Sequence, residues 1–250
     1  MVKILLRRDR TIIAAGLLLI TCLAWAYTAR EARSMGELCL PMGHAWSATD
    51  LGAMLVMWVV MMVAMMTPSI APMVLMFASV SDKRRKEMRP YVPAAIFLSG
   101  YLFAWAGFSL MATAVQWSLH SLALLSPMMV STSPYLGASI LLLAGVFQWT
   151  PLKKACLAHC RSPLGFLVTH WRPGAWGAFR MGLHHGLYCT GCCWALMALL
   201  FVAGVMNLRW VAILSIFVLA EKVLPHGQLV TRSASAVLFV LAMAILKQAL

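Results

Sequence analysis

Apolar residues run along this chain in blocks of about twenty, and charged residues gather in the gaps between them. A helix needs roughly 17–25 mainly apolar residues to cross a bilayer. Seven stretches reach or approach that length: about 11–29, 51–79, 93–118, 134–150, 185–206, 208–224 and 233–249. None alternates with period two, so helix rather than barrel strand is the form open to them. The pattern predicts an all-α fold, a polytopic transmembrane bundle of about seven spans, as a single membrane domain over residues 1–250. The gaps are too short for a second soluble domain, and no internal repeat or low-complexity tract stands out.

Composition agrees: 62% of the residues are hydrophobic and 11% are charged. The formal net charge of +13 would point to nucleic acid in a soluble protein. Here the cations lie between apolar blocks, where they set topology instead. With the N-terminus in the cytoplasm and seven spans, Lys3, Arg7, Arg8, Arg10, Lys83, Arg84, Arg85, Lys86, Arg89, Lys153, Lys154, Arg161, Arg172, Arg180, Lys222 and Arg232 all face the cytoplasm. Only Arg30, Arg33, Arg209 and Lys247 fall elsewhere, so 16 of the 20 basic residues obey the positive-inside rule. This orients the chain with the N-terminus in the cytoplasm and the C-terminus on the far side of the membrane. The first block, ending Ala24-Trp25-Ala26, also resembles a cleavable signal peptide. Arg30 and Glu31 follow closely, which favours an uncleaved anchor. Cleavage leaves six spans in the same orientation.

The fifth block opens "HHGLYCTGCCW", residues 184–194. At roughly 100° per residue, Cys189, Cys193 and Cys192 lie near 40°, 80° and 340° from His185, and His184 falls off that arc. A single Cys on a membrane helix is ordinary packing. Three within five residues, one turn after a His, point to metal ligation or thiol chemistry. The block's N-terminus is expected to add its positive dipole end, the environment that favours thiolate. A reducing cytoplasm disfavours a structural disulfide. Before it, "KKACLAHCRSP" carries Cys156, His159 and Cys160. If helical, its two Cys share a face one turn apart, and the topology puts them beside the first cluster as further ligands or a relay. His170 in "THWRP" reads as interfacial, with Trp171 and Trp176 as headgroup anchors.

The sixth block ends "AEKVLPHG". Glu221 is the only acid inside a predicted span, and two readings stay open: a functional carboxylate, or an interfacial Glu221 beside a snorkelling Lys222. His226 follows on the same side. The second block carries Met54, Met57, Met61, Met62, Met65, Met66, Met73 and Met76. Thioethers suit Cu(I), and Met equally fills an adaptable core. Pro68 and Pro72 are expected to kink this helix. A first outer loop with Met35, Cys39, Met42 and His44 is a candidate capture site, while Cys22 reads as packing. No P-loop, phosphorylation motif of a P-type pump, G-x-S-x-G or H-E-x-x-H occurs.

Four segments, "MWVVMMVAMMTPSIAPMVLMFA", "TPLKKACLAHCRSPLGFL", "HWRPGAWGAFRMGLHHGLYCTGCCWALMALLFVAGVMNL" and "EKVLPHG", resemble a bacterial family of predicted metal-binding integral membrane proteins, catalogued as a domain of unknown function. Some of its members are regarded as copper chaperones serving copper oxidases. The resemblance implies copper handling, and implies roles for Met61, Met62, Met65, Met66, Cys156, Cys160, Cys189, Cys192, Cys193 and Glu221. The expected function is a membrane Cu(I) chaperone with His185, Cys189, Cys192 and Cys193 as the main site. Cys156 and Cys160 close or feed it, and the Met residues form a weaker path. Zinc is a possible alternative ion. The expected partners are membrane lipid and a copper-enzyme client or a soluble copper carrier, with no nucleic acid. The rival readings are a thiol-disulfide oxidoreductase using Cys189 and Cys192, and a small-solute transporter with incidental thiols.

Overall fold

The computed structural model describes residues 2–37, 47–86, 92–126, 129–224 and 227–249. Among these the chain is an all-α bundle of ten helices: α1 (Val2–Glu37), α2 (Ala48–Lys86), α3 (Ala94–Ser121), α4 (Pro134–Phe147), α5 (Pro151–Arg161), α6 (Pro163–His170), α7 (Gly174–Ala198), α8 (Leu200–Ala203), α9 (Leu208–Val223) and α10 (Gly227–Ala249). Five segments are long and apolar enough to cross a membrane: Arg10–Ser34, Ala48–Arg84, Ala94–Ser121, Gly174–Ala203 and Leu229–Ala249. α4 and α5 pass the same test only as one span bent by 64°. α9, with 16 residues, is shorter than a usual span. Cys39, Met42, His44 and His226 lie outside the described residues.

The α4–α5 bend follows from "QWTPLKK". Pro151 has no N–H to continue α4 and disfavours helical geometry in the residue before it. Thr150 then caps the new helix, accepting from the Lys153 N–H at 3.2 Å, with Pro151 in the first turn. α7 starts earlier than the hydropathy pattern implies, at Gly174 rather than near 185. Arg172, Arg180, His184 and His185 lower the local hydropathy without breaking the helix. What fixes its start is Pro173 followed by Gly174 at φ +78°.

α2 lies at the centre, against α1, α3 and α9. Met54, Met57, Met61, Met62, Met65, Met66 and Met73 are all buried there, Met61 through Met66 completely among the four that the sequence singles out. The helix continues through Pro68 and Pro72. Side chains serve the backbone around them: Thr67 donates to the Val63 carbonyl at 2.6 Å, Ser69 to that of Met66 at 2.9 Å, and Ser215 of α9 to that of Met65 at 3.2 Å. The carbonyls that the two prolines leave without an N–H are those of Ala64 and Pro68, and these donors serve their neighbours in the same turns.

α3 and α7 make the most extensive pairing in the bundle. Their backbones touch because glycines face each other. A Cβ at Gly182 would run into the Phe97 carbonyl oxygen, and one at Gly100 into the Phe179 carbonyl oxygen. A Cβ at Gly186 would stand 2.6 Å from Ala104 Cβ. Gly182 and Gly186 form a G-x-x-x-G pair, the spacing that brings helices close in lipid. This approach sets Tyr101, beside Gly100, next to Cys189, one turn beyond Gly186.

Gly182→Val is therefore expected to destabilise the fold by about 3 kcal/mol, since backbone rather than a side chain must move. Gly107→Ala, where a Cβ meets nothing within 4 Å, should leave stability within about 1 kcal/mol of the parent, helix propensity being the only change. Unfolding midpoints in detergent compare the two. Equal effects at both positions would contradict the close-contact account.

Candidate metal centre

Five cysteines converge from two helices. α7 presents Cys189, Cys192 and Cys193, all buried, on the same face as buried His185, while His184 is exposed. The rise of 100° per residue separates these faces as the sequence implies. α5 presents Cys156, buried, and Cys160, half-buried, so the helix expected over this segment forms and puts the pair on one side. The Cys160 thiol interacts with those of Cys189 and Cys192, and the Cys193 thiol with the same two. Cys192 and Cys193 each donate to the Cys189 carbonyl oxygen at 3.0 Å. Cys156 rests over Gly191, where its sulfur would stand 3.0 Å from an added Cβ. The glycine inside C-T-G-C is thus what admits α5 to the thiols. All cysteines among the described residues are free.

Three more helices complete the centre. Lys222 of α9 donates to Cys189 Sγ at 2.9 Å and to Ser69 Oγ of α2 at 3.0 Å. The Tyr101 hydroxyl of α3 stands 3.1 Å from Cys189 Sγ and donates to the Met66 carbonyl at 3.4 Å. Cys189 thus receives an ammonium and a phenol in a water-poor interior. The positive end of a helix, expected at these thiols, is not what serves them. Cys189 lies fifteen residues into α7, about 22 Å from its start at 1.5 Å per residue, and the helix dipole acts within the first turn. Lys222 supplies the positive charge. It reaches inward to the thiols, not outward to an interface.

Glu221, the neighbouring residue, also turns inward. Its carboxylate accepts from Lys153 Nζ at 2.8 and 2.9 Å and from the Thr231 hydroxyl at 2.8 Å. Both charged side chains are essentially sealed, 1% and 2% exposed. The pair ties α5 to α9 and α10, holding Cys156 and Cys160, three and seven residues after Lys153, against α7. His185 is packed by the rings of Phe97, Tyr101 and Phe166. Its Nδ1 has no hydrogen-bond partner, a lone donor-acceptor atom one turn before Cys189. Trp176 is exposed, as a headgroup anchor should be, whereas Trp171 is half-buried, stacked on Phe77 and covered by Arg84 at 4.3 Å.

A family model described as PpoB2, copper chaperone, matches residues 55–245. The chain belongs to the PpoB2 copper chaperone family. The match spans α2 through most of α10, so every residue of the centre lies within it. No curated protein and no solved structure matches the chain. The family name is a copper name and gives zinc no support; among the described residues no three His, Cys, Asp or Glu side chains are already arranged to hold an ion of either kind. Soft sulfur donors suit Cu(I).

Lys222, Tyr101, Ser69 and Lys153 were not legible as site residues. Lys222 and Lys153 resemble the other topology-setting cations. The available signals were Lys153 at the helical spacing of Cys156 and Cys160, and Gly100 facing a G-x-x-x-G pair.

The ion pair carries a direct test. Lys153→Met or Glu221→Leu alone strands a buried charge and is expected to cost about 3–5 kcal/mol. The double variant Lys153→Met/Glu221→Leu removes both charges and should recover most of that loss. Denaturation midpoints of the three variants decide. A double variant as unstable as the sum of the singles would show that the two charges do not act as a pair.

Proposed function

We propose that this chain is a membrane-embedded Cu(I) chaperone that binds its ion between α5 and α7 and delivers it to a copper enzyme. Cys160, Cys189 and Cys192 are the principal ligands. His185, Cys156 and Cys193 close the shell as the ion settles. The observation that carries this reading is the meeting of thiols from two helices around the inward-turned ammonium of half-buried Lys222. A packing role for the thiols does not account for that ammonium. Lys222 costs free energy to bury unless negative charge faces it, and Cys189 is the group it faces.

The same arrangement gives a loading chemistry. Cu(I) carries one positive charge, as Lys222 does. An arriving ion displaces the ammonium from Cys189, and the proton lost to the carrier or solvent by a second cysteine as its sulfur binds keeps the net charge of the interior unchanged. Lys222 keeps Ser69 as a partner when it withdraws. Low coordination number suits Cu(I), so two or three sulfurs suffice and rearrangement stays small. Met61, Met62, Met65 and Met66 line α2 beside Ser69 in sequence and offer uncharged thioethers as a weaker path. Glu221 is assigned to holding α5, because Lys153 and Thr231 already occupy its carboxylate. The membrane is the bacterial inner membrane, with the N-terminus cytoplasmic and the C-terminus periplasmic. Reporters fused at residue 86 and at the C-terminus distinguish this orientation from its reverse. The partner that exchanges copper with the chain is a copper-enzyme client or a soluble copper carrier.

Replacing Cys189, Cys192 and Cys193 together by Ser tests the assignment. Ser has nearly the size of Cys and is a poor Cu(I) ligand, so insertion and expression should hold while the tightly held copper, the part that survives dialysis of the reduced, detergent-purified protein against a Cu(I) chelator, falls to background. Stoichiometric copper in that variant would move the site to the methionines or the outer loop. A reversible Cys189–Cys192 disulfide with no copper in the parent protein would favour a redox enzyme.

A further inference from the structure

Three histidines lie outside the thiol centre yet next to it. His159 of α5, His170 at the end of α6 and His184 of α7 surround Tyr188. His159 stacks on Tyr188 at 4.1 Å and 9°. His184 lies 4.8 Å from the same ring. The centres of His170 and His184 are 5.0 Å apart, and those of His159 and His170 are 6.1 Å apart. His184 is exposed, and the other two are half-buried. Two imidazoles that share an ion through bonds of about 2.0–2.1 Å stand about 5–6 Å apart centre to centre. The His170–His184 separation falls in that range and the His159–His170 separation lies at its upper edge.

Hydrogen bonding prepares the rings. His159 Nδ1 lies 2.9 Å from the Ala155 carbonyl oxygen. His170 Nδ1 lies 2.7 Å from the Thr169 hydroxyl and 3.3 Å from the Phe166 carbonyl. With the proton on Nδ1 donated to a carbonyl, Nε2 keeps its lone pair for an ion, as in metal sites generally. Neighbouring residues link the cluster to the thiols: His159 precedes Cys160, and Tyr188 precedes Cys189.

Resting on the chaperone reading above, we propose that His159, His170 and His184 form a second metal site, an entry site that receives Cu(I) and passes it through Cys160 to the buried thiols. The rotamers present do not close a three-ligand shell, so the rings turn as the ion arrives. The transfer is ligand exchange at constant oxidation state. Cys160 sulfur binds the ion as an imidazole nitrogen leaves it, and that nitrogen takes the thiol proton. A cleft of about 250 Å³ opens beside His184, lined by Arg172, Arg180, Leu183 and Leu187. Its two guanidinium groups repel a bare cation. They select copper presented on an anionic carrier bearing thiolate or carboxylate groups.

The test uses the full chain in detergent under reducing conditions, with Cu(I) buffered by a chromophoric chelator. In a chain with Cys156, Cys160, Cys189, Cys192 and Cys193 all changed to Ser, one weaker copper site should remain. Adding His170→Asn and His184→Gln should weaken it by about tenfold or more, the scale of losing metal-site ligands. With the thiols intact, the same two changes should slow loading about tenfold and leave the amount of copper finally held at the thiols unaltered. His184→Gln alone removes an exposed ring with little packing and should give part of that slowing, which guards against misfolding as the cause. Unchanged affinity in the thiol-free chain, or unchanged loading with thiols present, would overturn the proposal. If the parent chain bound no copper at its thiols, the chaperone reading would fail, and the thiol-free titration would still decide the histidine site on its own.

Discussion

An ammonium inside an apolar bundle must face a negative or polar partner, and Lys222 faces the sulfur of Cys189 at 2.9 Å. Much of the surrounding structure serves that contact. α9 reaches the thiols because Ser215 docks it on the Met65 carbonyl. α3 brings Tyr101 to the same sulfur because Gly100, Gly182 and Gly186 let two backbones touch. α5 comes down on α7 because Gly191 leaves room for Cys156 and because Lys153 finds Glu221. Two inward-turned lysines, Lys153 buried and Lys222 half-buried, thus hold the centre in different ways. One pins the helix that carries Cys156 and Cys160, and the other brings a positive charge to the thiol cluster.

The fold class was readable from periodicity because burial in a bilayer or a bundle leaves long apolar runs. The face of α7 was equally readable: the 3.6-residue repeat separates His185, Cys189, Cys192 and Cys193 from exposed His184. The start of α7 was not, since hydropathy drops at Arg172, Arg180 and the two histidines while the backbone continues helical from Gly174. That error carried over into the electrostatics, placing a helix terminus where the structure puts a lysine. Lys222 and Lys153 were missed because their chemistry depends on partners 33 and 68 residues away in the chain. Spacing along one helix cannot reveal such pairs. The methionines stand between these cases. Their burial followed from the pattern, while their service to an ion does not follow from burial.

Membership of a copper chaperone family and this geometry explain each other at the level of chemistry. A carrier must hold its ion against loss and still give it up. Thiolates supply the hold. In the proposed reading Lys222 supplies the means of release, because its ammonium can return to Cys189 as the ion departs. A fully closed tetrahedral shell offers no such exchange.

X-ray absorption at the copper edge of the Cu(I)-loaded protein tests the central claim most directly. A site shared by α5 and α7 predicts a first shell dominated by sulfur, at about the 2.3 Å typical of thiolate bonds to first-row metals, losing sulfur when Cys160 becomes Ser. A shell of nitrogen alone, or a sulfur shell indifferent to Cys160→Ser, would contradict a site built between the two helices.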